Sequence, residues 1–141
     1  MKIGLICGCF DLFHVGHLNI LEKAKANCDK LIVGIVDDEY IQNHKNGSVI
    51  KQDDRKRIVQ ALKCVDETYI VNEEIIKNRL DFCKKHLINI VFDGDDWKDH
   101  EKYKRLEENG IEVMFFPYTK GISTTKLKEK LKQGLTKVKG E

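Results

Sequence analysis

Two histidines set three positions apart, His14 and His17, lie either side of Gly16 in the stretch Gly8-Cys9-Phe10-Asp11-Leu12-Phe13-His14-Val15-Gly16-His17. The stretch reads as the exit of a strand, a turn on glycine and the start of a helix. Residues three apart on a helix share a face, so both imidazoles can aim a ring N–H at one anion. Gly16 lets the backbone approach closely, and the helix N-terminus adds unpaired amides with a partial positive charge. All three features suit phosphate. The residues alone leave two other readings open: histidines satisfied at a helix cap, and a two-ligand metal site, although helical metal pairs are usually spaced i, i+4.

A second stretch with the same chemistry lies near the other end of the chain. Gly121-Ile122-Ser123-Thr124-Thr125 is a glycine-led loop whose hydroxyls and amides at a helix start can cradle phosphate, or can simply cap that helix. Between the two, Lys45, Lys51 and Arg55 are candidate cations. Cations placed around a phosphate lower the barrier to any reaction that builds negative charge on its oxygens. The other reading of each lysine is a solvated surface charge.

These groups need a scaffold that brings them together. Lys2 to Cys7 is a β-prone run, a helical pattern follows through Leu18, Leu21 and Ala24, and Lys30 to Val36 supplies a second run apolar on both faces. That is a βαβ unit, and a strand apolar on both faces belongs in the middle of a parallel sheet covered on both sides. Asp37 to Gln52 reads as a long polar loop. Asp53-Asp54 then cap a helix with Ile58, Val59, Ala61 and Leu62 inward, and a strand follows over Glu67 to Val71. Glu73 to His86 reads as one helix, Ile88 to Phe92 as a strand, Asp99 to Asn109 as a charged helix and Ile111 to Phe116 as the last strand. A final helix runs from Lys126 to about Gln133, with Leu127 and Leu131 inward. Alternating strands and helices predict an α/β fold, a three-layer sandwich of about five parallel strands, whose ligands gather beyond the strand carboxyl ends where strand order reverses.

With 141 residues, 41% of them hydrophobic and 34% charged, the chain forms one globular domain. Lys+Arg number 25 against 23 Asp+Glu, so a broad basic surface for nucleic acid is not expected and any anion site must be local. No apolar run approaches the roughly 20 residues that cross a bilayer. The first residues run straight into the glycine turn, which is unlike a secretory signal, so a cytoplasmic enzyme is expected. The five cysteines form no Cys-x-x-Cys pair, so reduced thiols are expected and a protein-held metal is not.

The first stretch resembles the H-x-G-H signature of the nucleotidyltransferase superfamily, and its G-x-F-D-x-x-H-x-G-H form is similar to that of the cytidylyltransferases. Gly121 to Thr125 resembles the G-I-S-T-T element of the cytidylyltransferases that act on glycerol 3-phosphate and related phosphorylated compounds. Gly94-Asp95-Asp96-Trp97 and Val65-Asp66-Glu67 resemble intermediate landmarks of that family. The resemblance implies a Rossmann-like domain over residues 1–133, followed by a frayed tail over 134–141. It implies that CMP passes from CTP to a small phosphorylated acceptor, with Mg²⁺ on the nucleotide phosphates and a homodimeric assembly.

By the same resemblance, His14, His17 and Lys45 are catalytic. Gly8, Cys9, Phe10, Asp11, Gly16, Arg55, Thr119, Gly121, Ile122, Ser123 and Thr124 bind the nucleotide, and Asp96 faces the cytosine amine. Lys77 and Arg79 are candidates for the acceptor. Two departures stand out: Tyr118 occupies a position where the family usually has arginine, and Lys63-Cys64 precedes Val65 where the family has arginine and tyrosine. An adenylyltransferase of the same superfamily, or a nucleotide-binding module with impaired turnover, are the alternatives.

Overall fold

The computed structural model describes residues 1–94 and 101–134. Five strands, β1 (Ile3–Gly8), β2 (Lys30–Val36), β3 (Glu67–Val71), β4 (Ile90–Gly94) and β5 (Glu112–Phe116), form one parallel sheet in the order β3-β2-β1-β4-β5. Seven helices among the described residues connect or flank them: α1 (Val15–Ala26), α2 (Asp38–His44), α3 (Gln52–Gln60), α4 (Glu73–Lys77), α5 (Arg79–Lys85), α6 (Glu101–Glu108) and α7 (Thr124–Gln133). This is the Rossmann-like three-layer fold expected from the alternation of runs.

β2 lies between β1 and β3, and all of its residues from Leu31 to Val36 are buried, because helices cover both faces. On one face Leu21 and Ala24 of α1 and Val59 of α3 pack against Ile6, Val33 and Phe92. On the other, Leu80 and Cys83 of α5 and Tyr103 and Leu106 of α6 pack against Leu5, Ile32 and Val91. The chain winds outward from β1 to β3, then crosses to β4 on the other side of β1. Strand order therefore reverses between β1 and β4, and a crevice forms beyond Gly8 and Gly94.

Five expectations need correction. The stretch from Asp37 is not all loop, because the Asp37 carboxylate accepts the Tyr40 N–H at 2.8 Å and caps α2. Residues 73–86 form two helices, not one. Asn78 leaves the helical region at φ −110°, ψ 47°, which ends α4 and resets α5 so that Leu80 and Cys83 reach the core. In α3 the buried stripe is Arg55 and Val59, four apart, while Ile58 is 41% exposed. Lys51 precedes α3 without a side-chain cap, and Asp53 and Asp54 sit in its first turn, where carboxylates favour the positive end of the helix. Leu131 of α7 is likewise exposed.

Candidate active site at the strand carboxyl ends

The loop from β1 to α1 is bent by two non-glycine residues in the left-handed region, Phe10 at φ 53° and Leu12 at φ 50°. Such backbone costs on the order of 1–3 kcal/mol per residue, and side-chain bonds from outside the loop hold it in place. Asp11 is 5% exposed, and its carboxylate accepts the amides of Leu12 (3.1 Å), Val49 (2.8 Å) and Ile50 (2.9 Å). It ties this loop to the segment before α3.

His14 is the N-cap of α1. Its Nδ1 accepts the Gly16 N–H at 3.0 Å, and His17 Nδ1 reaches back to accept the His14 N–H at 3.1 Å. A backbone amide can only donate, so each Nδ1 is unprotonated and each neutral ring carries its proton on Nε2. The rings stack with centroids 3.9 Å apart, and His14 Nε2 is buried with no partner. Burial lowers the pKa of His14. Burial and the neighbouring His14, opposed by Asp11, bring His17 down to about 4. At pH 7 the site therefore holds two neutral Nε2–H donors. Gly16 makes the arrangement possible, since a Cβ there would lie 2.8 Å from His14 Cε1.

The hydroxyl loop closes on the same turn. Thr124 Oγ1 donates to the Asp11 carbonyl at 2.9 Å, Asn19 Nδ2 of α1 donates to Thr119 Oγ1 at 3.2 Å, and the place a Gly16 Cβ would occupy lies 3.5 Å from Ile122 Cγ2. Ser123 caps α7 by accepting the Lys126 N–H at 3.0 Å. Ser123 and Thr119 are thus engaged as acceptors, and each keeps a hydroxyl proton to donate. Gly121, at φ 84°, makes the bend that presents Ile122 and Ser123. The histidines and the hydroxyl loop share one corner of the crevice.

Lys45 follows α2 and donates to Cys9 Sγ at 3.6 Å, which sets an exposed ammonium against the Gly8–Phe10 turn. Arg55 lies in the interior. It is wholly buried, and its guanidinium donates to the carbonyls of Ile50, Cys9 and Val36 and to Asp38 Oδ1 at 2.6–2.8 Å. It binds the segments around the candidate site to one another, and its guanidinium is engaged within the protein. Burial would raise the Asp38 pKa, but bonds from Arg55, the Gln52 amide and Ser48 hold it below the usual carboxylate range.

Asp96 lies outside the described residues. Lys77 is exposed and paired with Glu73 at 2.8 Å. Arg79 packs beside Tyr103 on the face of the sheet away from α1. Tyr118 stands over Gly94, where any Cβ would collide with its ring. Sequence reasoning missed Asn19 and Asp38. Asn19 lies three residues after Gly16, on the same helical face, and that spacing was a usable signal. Asp38 had none, because its partner Arg55 read as a surface cation. Among the described residues no group of three or more His, Cys, Asp or Glu is placed to hold a metal ion, and the cysteines are free thiols.

A crevice at the switch point of a parallel sheet, with two imidazole donors and a hydroxyl loop at one corner, defines a phosphate-handling α/β protein. The family model described as cytidylyltransferase-like matches residues 5–130, and the chain belongs to that family. It is 38% identical over 129 residues to the glycerol-3-phosphate cytidylyltransferase of Bacillus spizizenii, covering 92% of this chain and 96% of that enzyme. It is also 38% identical over 127 residues to the ethanolamine-phosphate cytidylyltransferase of Mus musculus, but spans only 30% of that longer protein. A lipopolysaccharide core biosynthesis protein from Thermoplasma volcanium shares the fold, with TM-score 0.71 and 23% identity over 84% of this chain and 99% of that one.

Proposed function

We propose that this protein transfers CMP from CTP to a small phosphorylated acceptor and releases pyrophosphate. The observation that carries the reading is the closure of the Ser123–Thr124 turn on the Asp11–His17 turn, which sets hydroxyl and Nε2–H donors at one corner of the crevice.

An acceptor phosphate oxygen attacks the α-phosphorus in line, and the bond from that phosphorus to the oxygen bridging to the β-phosphate breaks. The acceptor is already ionised at neutral pH, its second pKa lying near ~6, so no protein base is needed. His14 and His17 donate Nε2–H bonds to the oxygens on which charge develops, and Lys45 adds a positive charge across the Gly8–Phe10 turn. Ser123, Thr119 and the amides after Gly121 hold the leaving phosphates. Asp96 is assigned to the exocyclic amine of cytosine, a donor a carboxylate suits. Mg²⁺ would be held mainly by the nucleotide's own phosphates and would supply charge neutralisation there. A homodimer in the cytoplasm belongs to the same reading, and among the described residues no helix is long and apolar enough to cross a membrane.

The test is pyrophosphate release with CTP, and separately with ATP, over a panel of phosphorylated alcohols. Turnover with CTP is expected, and His14→Ala or His17→Ala should lower kcat by roughly 10²-fold, as loss of one oxyanion donor does. Preference for ATP, full activity of His14→Ala, or CTP binding without product would each refute it.

A further inference from the structure

The end of β4 carries an aromatic ring whose seat is built into the strand. Gly94 has no side chain, and the place its Cβ would occupy lies 2.4 Å from Tyr118 Oη, 2.5 Å from Cζ and 3.0 Å from Cε2. The outer edge of the Tyr118 ring therefore rests on the backbone of β4, and any other residue at position 94 would lift it away. Phe92 and Gly94, two apart on a strand, point to the same face of the sheet, and Phe92 belongs to the core on the α1 face with Leu21 and Ala24. Phe116 of β5 stacks on Phe92 with centroids 5.6 Å apart. Tyr118 on Gly94 repeats that pairing one step further along, at the crevice and on the face that carries His14 and His17. The next residue is fixed as well, since Thr119 Oγ1 accepts from Asn19 Nδ2 of α1 at 3.2 Å. Tyr118 is nevertheless 59% exposed, so its ring is seated but not covered.

The two sides of the phosphate corner are not alike. Toward β2, the segment before α3 is tied to the Gly8–Phe10 turn: Asp11 accepts the amides of Val49 and Ile50, and Arg55 donates to the carbonyls of Cys9 and Val36. Toward β4, the strand next to β1, the wall is the bare backbone of Gly94 and the ring of Tyr118. A nucleotide with its phosphates at the corner must place its nucleoside half on one side or the other, and the β4 side is the one not filled by the chain. What meets it there carries no charge. A phenol cannot take two phosphate oxygens as a guanidinium does, but every nucleobase has a π-face, and a ring held in place is a surface on which a base stacks.

We infer, resting on the CTP reading above, that Tyr118 is the platform on which the nucleotide's base stacks, and that it contributes to nucleotide affinity through the base and not through the phosphates. The test is calorimetry on the full chain and on Tyr118→Ala, Tyr118→Leu and Tyr118→Phe, each titrated in Mg²⁺ buffer with CTP and, separately, with inorganic tripolyphosphate. Tyr118→Ala should weaken CTP binding roughly 10- to 100-fold, the effect of removing one base stack, and leave tripolyphosphate binding unchanged. Tyr118→Leu still covers Gly94 but offers no aromatic face, so it should fall with the alanine variant. Tyr118→Phe keeps the face and should bind both ligands as the unaltered protein does. CTP affinity retained by the leucine variant, CTP affinity lost by the phenylalanine variant, or equal weakening of CTP and tripolyphosphate overturns the inference. The contrast between leucine and phenylalanine on CTP decides it even where the alanine variant does not fold or tripolyphosphate binds too weakly to titrate. CTP bound in the expected pattern but never turned over sinks the transfer reading and leaves the platform standing. If the unaltered protein takes ATP in place of CTP, the cytosine reading fails and ATP replaces CTP in the same comparison. If it binds neither, both readings fall.

Discussion

Thr124 Oγ1 donates to the carbonyl oxygen of Asp11 at 2.9 Å, a bond between residues 113 positions apart. It joins the start of α7 to the turn that carries the histidines, and so ties together the two stretches proposed to bind phosphate. Thr124→Val keeps the shape and removes the donor. It should cost about 0.5–1.5 kcal/mol in urea unfolding and raise the KM for CTP, since the Ser123 turn is no longer fixed to its partner. An unaltered KM would mean that the loop is held by other contacts.

Arg55 makes the opposite kind of contribution. Its guanidinium satisfies three carbonyls and Asp38 inside the protein, and a methionine of similar length would leave all four without it. Arg55→Met should therefore destabilise by about 3 kcal/mol or more, as when one partner of a buried pair is removed. Hydrogen exchange should speed up first at Val49 and Ile50, which flank the Arg55 bond to the Ile50 carbonyl. Loss of CTP affinity at undiminished stability would instead restore Arg55 as a phosphate ligand.

Arg55 also shows where sequence reading stops. The sheet was legible because the run from Leu31 to Val36 is apolar on both faces, and the corner of the site was legible because His14, Gly16 and Ser123 have backbone-determined jobs that spacing reveals. A buried arginine looks like a surface one until its acceptors are known, and those acceptors come from Cys9, Val36, Asp38 and Ile50, spread along the chain. The break at Asn78 was hidden for a related reason. Glu73 to His86 has continuous helical periodicity, and only packing against the sheet decides that α5 must rotate to bring Leu80 and Cys83 inward.

Gly16 tests whether the imidazoles act through their position. An alanine Cβ would sit 2.8 Å from His14 Cε1 and 2.9 Å from Nδ1, so the ring must move and its bond to the residue 16 amide must weaken. Alanine otherwise favours the helix over glycine. Gly16→Ala should thus stay folded, with an unchanged circular dichroism spectrum, while kcat falls by roughly 10²-fold, the effect of about 1 Å of misplacement. A variant with full turnover would show that the His14 ring need not be held where it is.

The imidazoles also set the response to acid. His17 titrates at about 4 in the folded protein against 6.5 for the free side chain, chiefly through burial, with His14 adding to the shift and Asp11 opposing it. His14 is lowered by burial as well. Between those two values the unfolded chain binds more protons than the folded one, so unfolding free energy rises with pH across this window and levels off above it. Acidification from pH 7.5 to pH 5 should therefore destabilise the protein. His17→Gln offers an amide oxygen that can accept the His14 N–H without titrating, so it should flatten the part of the slope that belongs to His17 and leave that of His14. Urea unfolding of both proteins at the two pH values reads the difference directly. Equal slopes would mean that His17 charges freely in the folded state, and the neutral Nε2–H donor assigned to it would have to be abandoned.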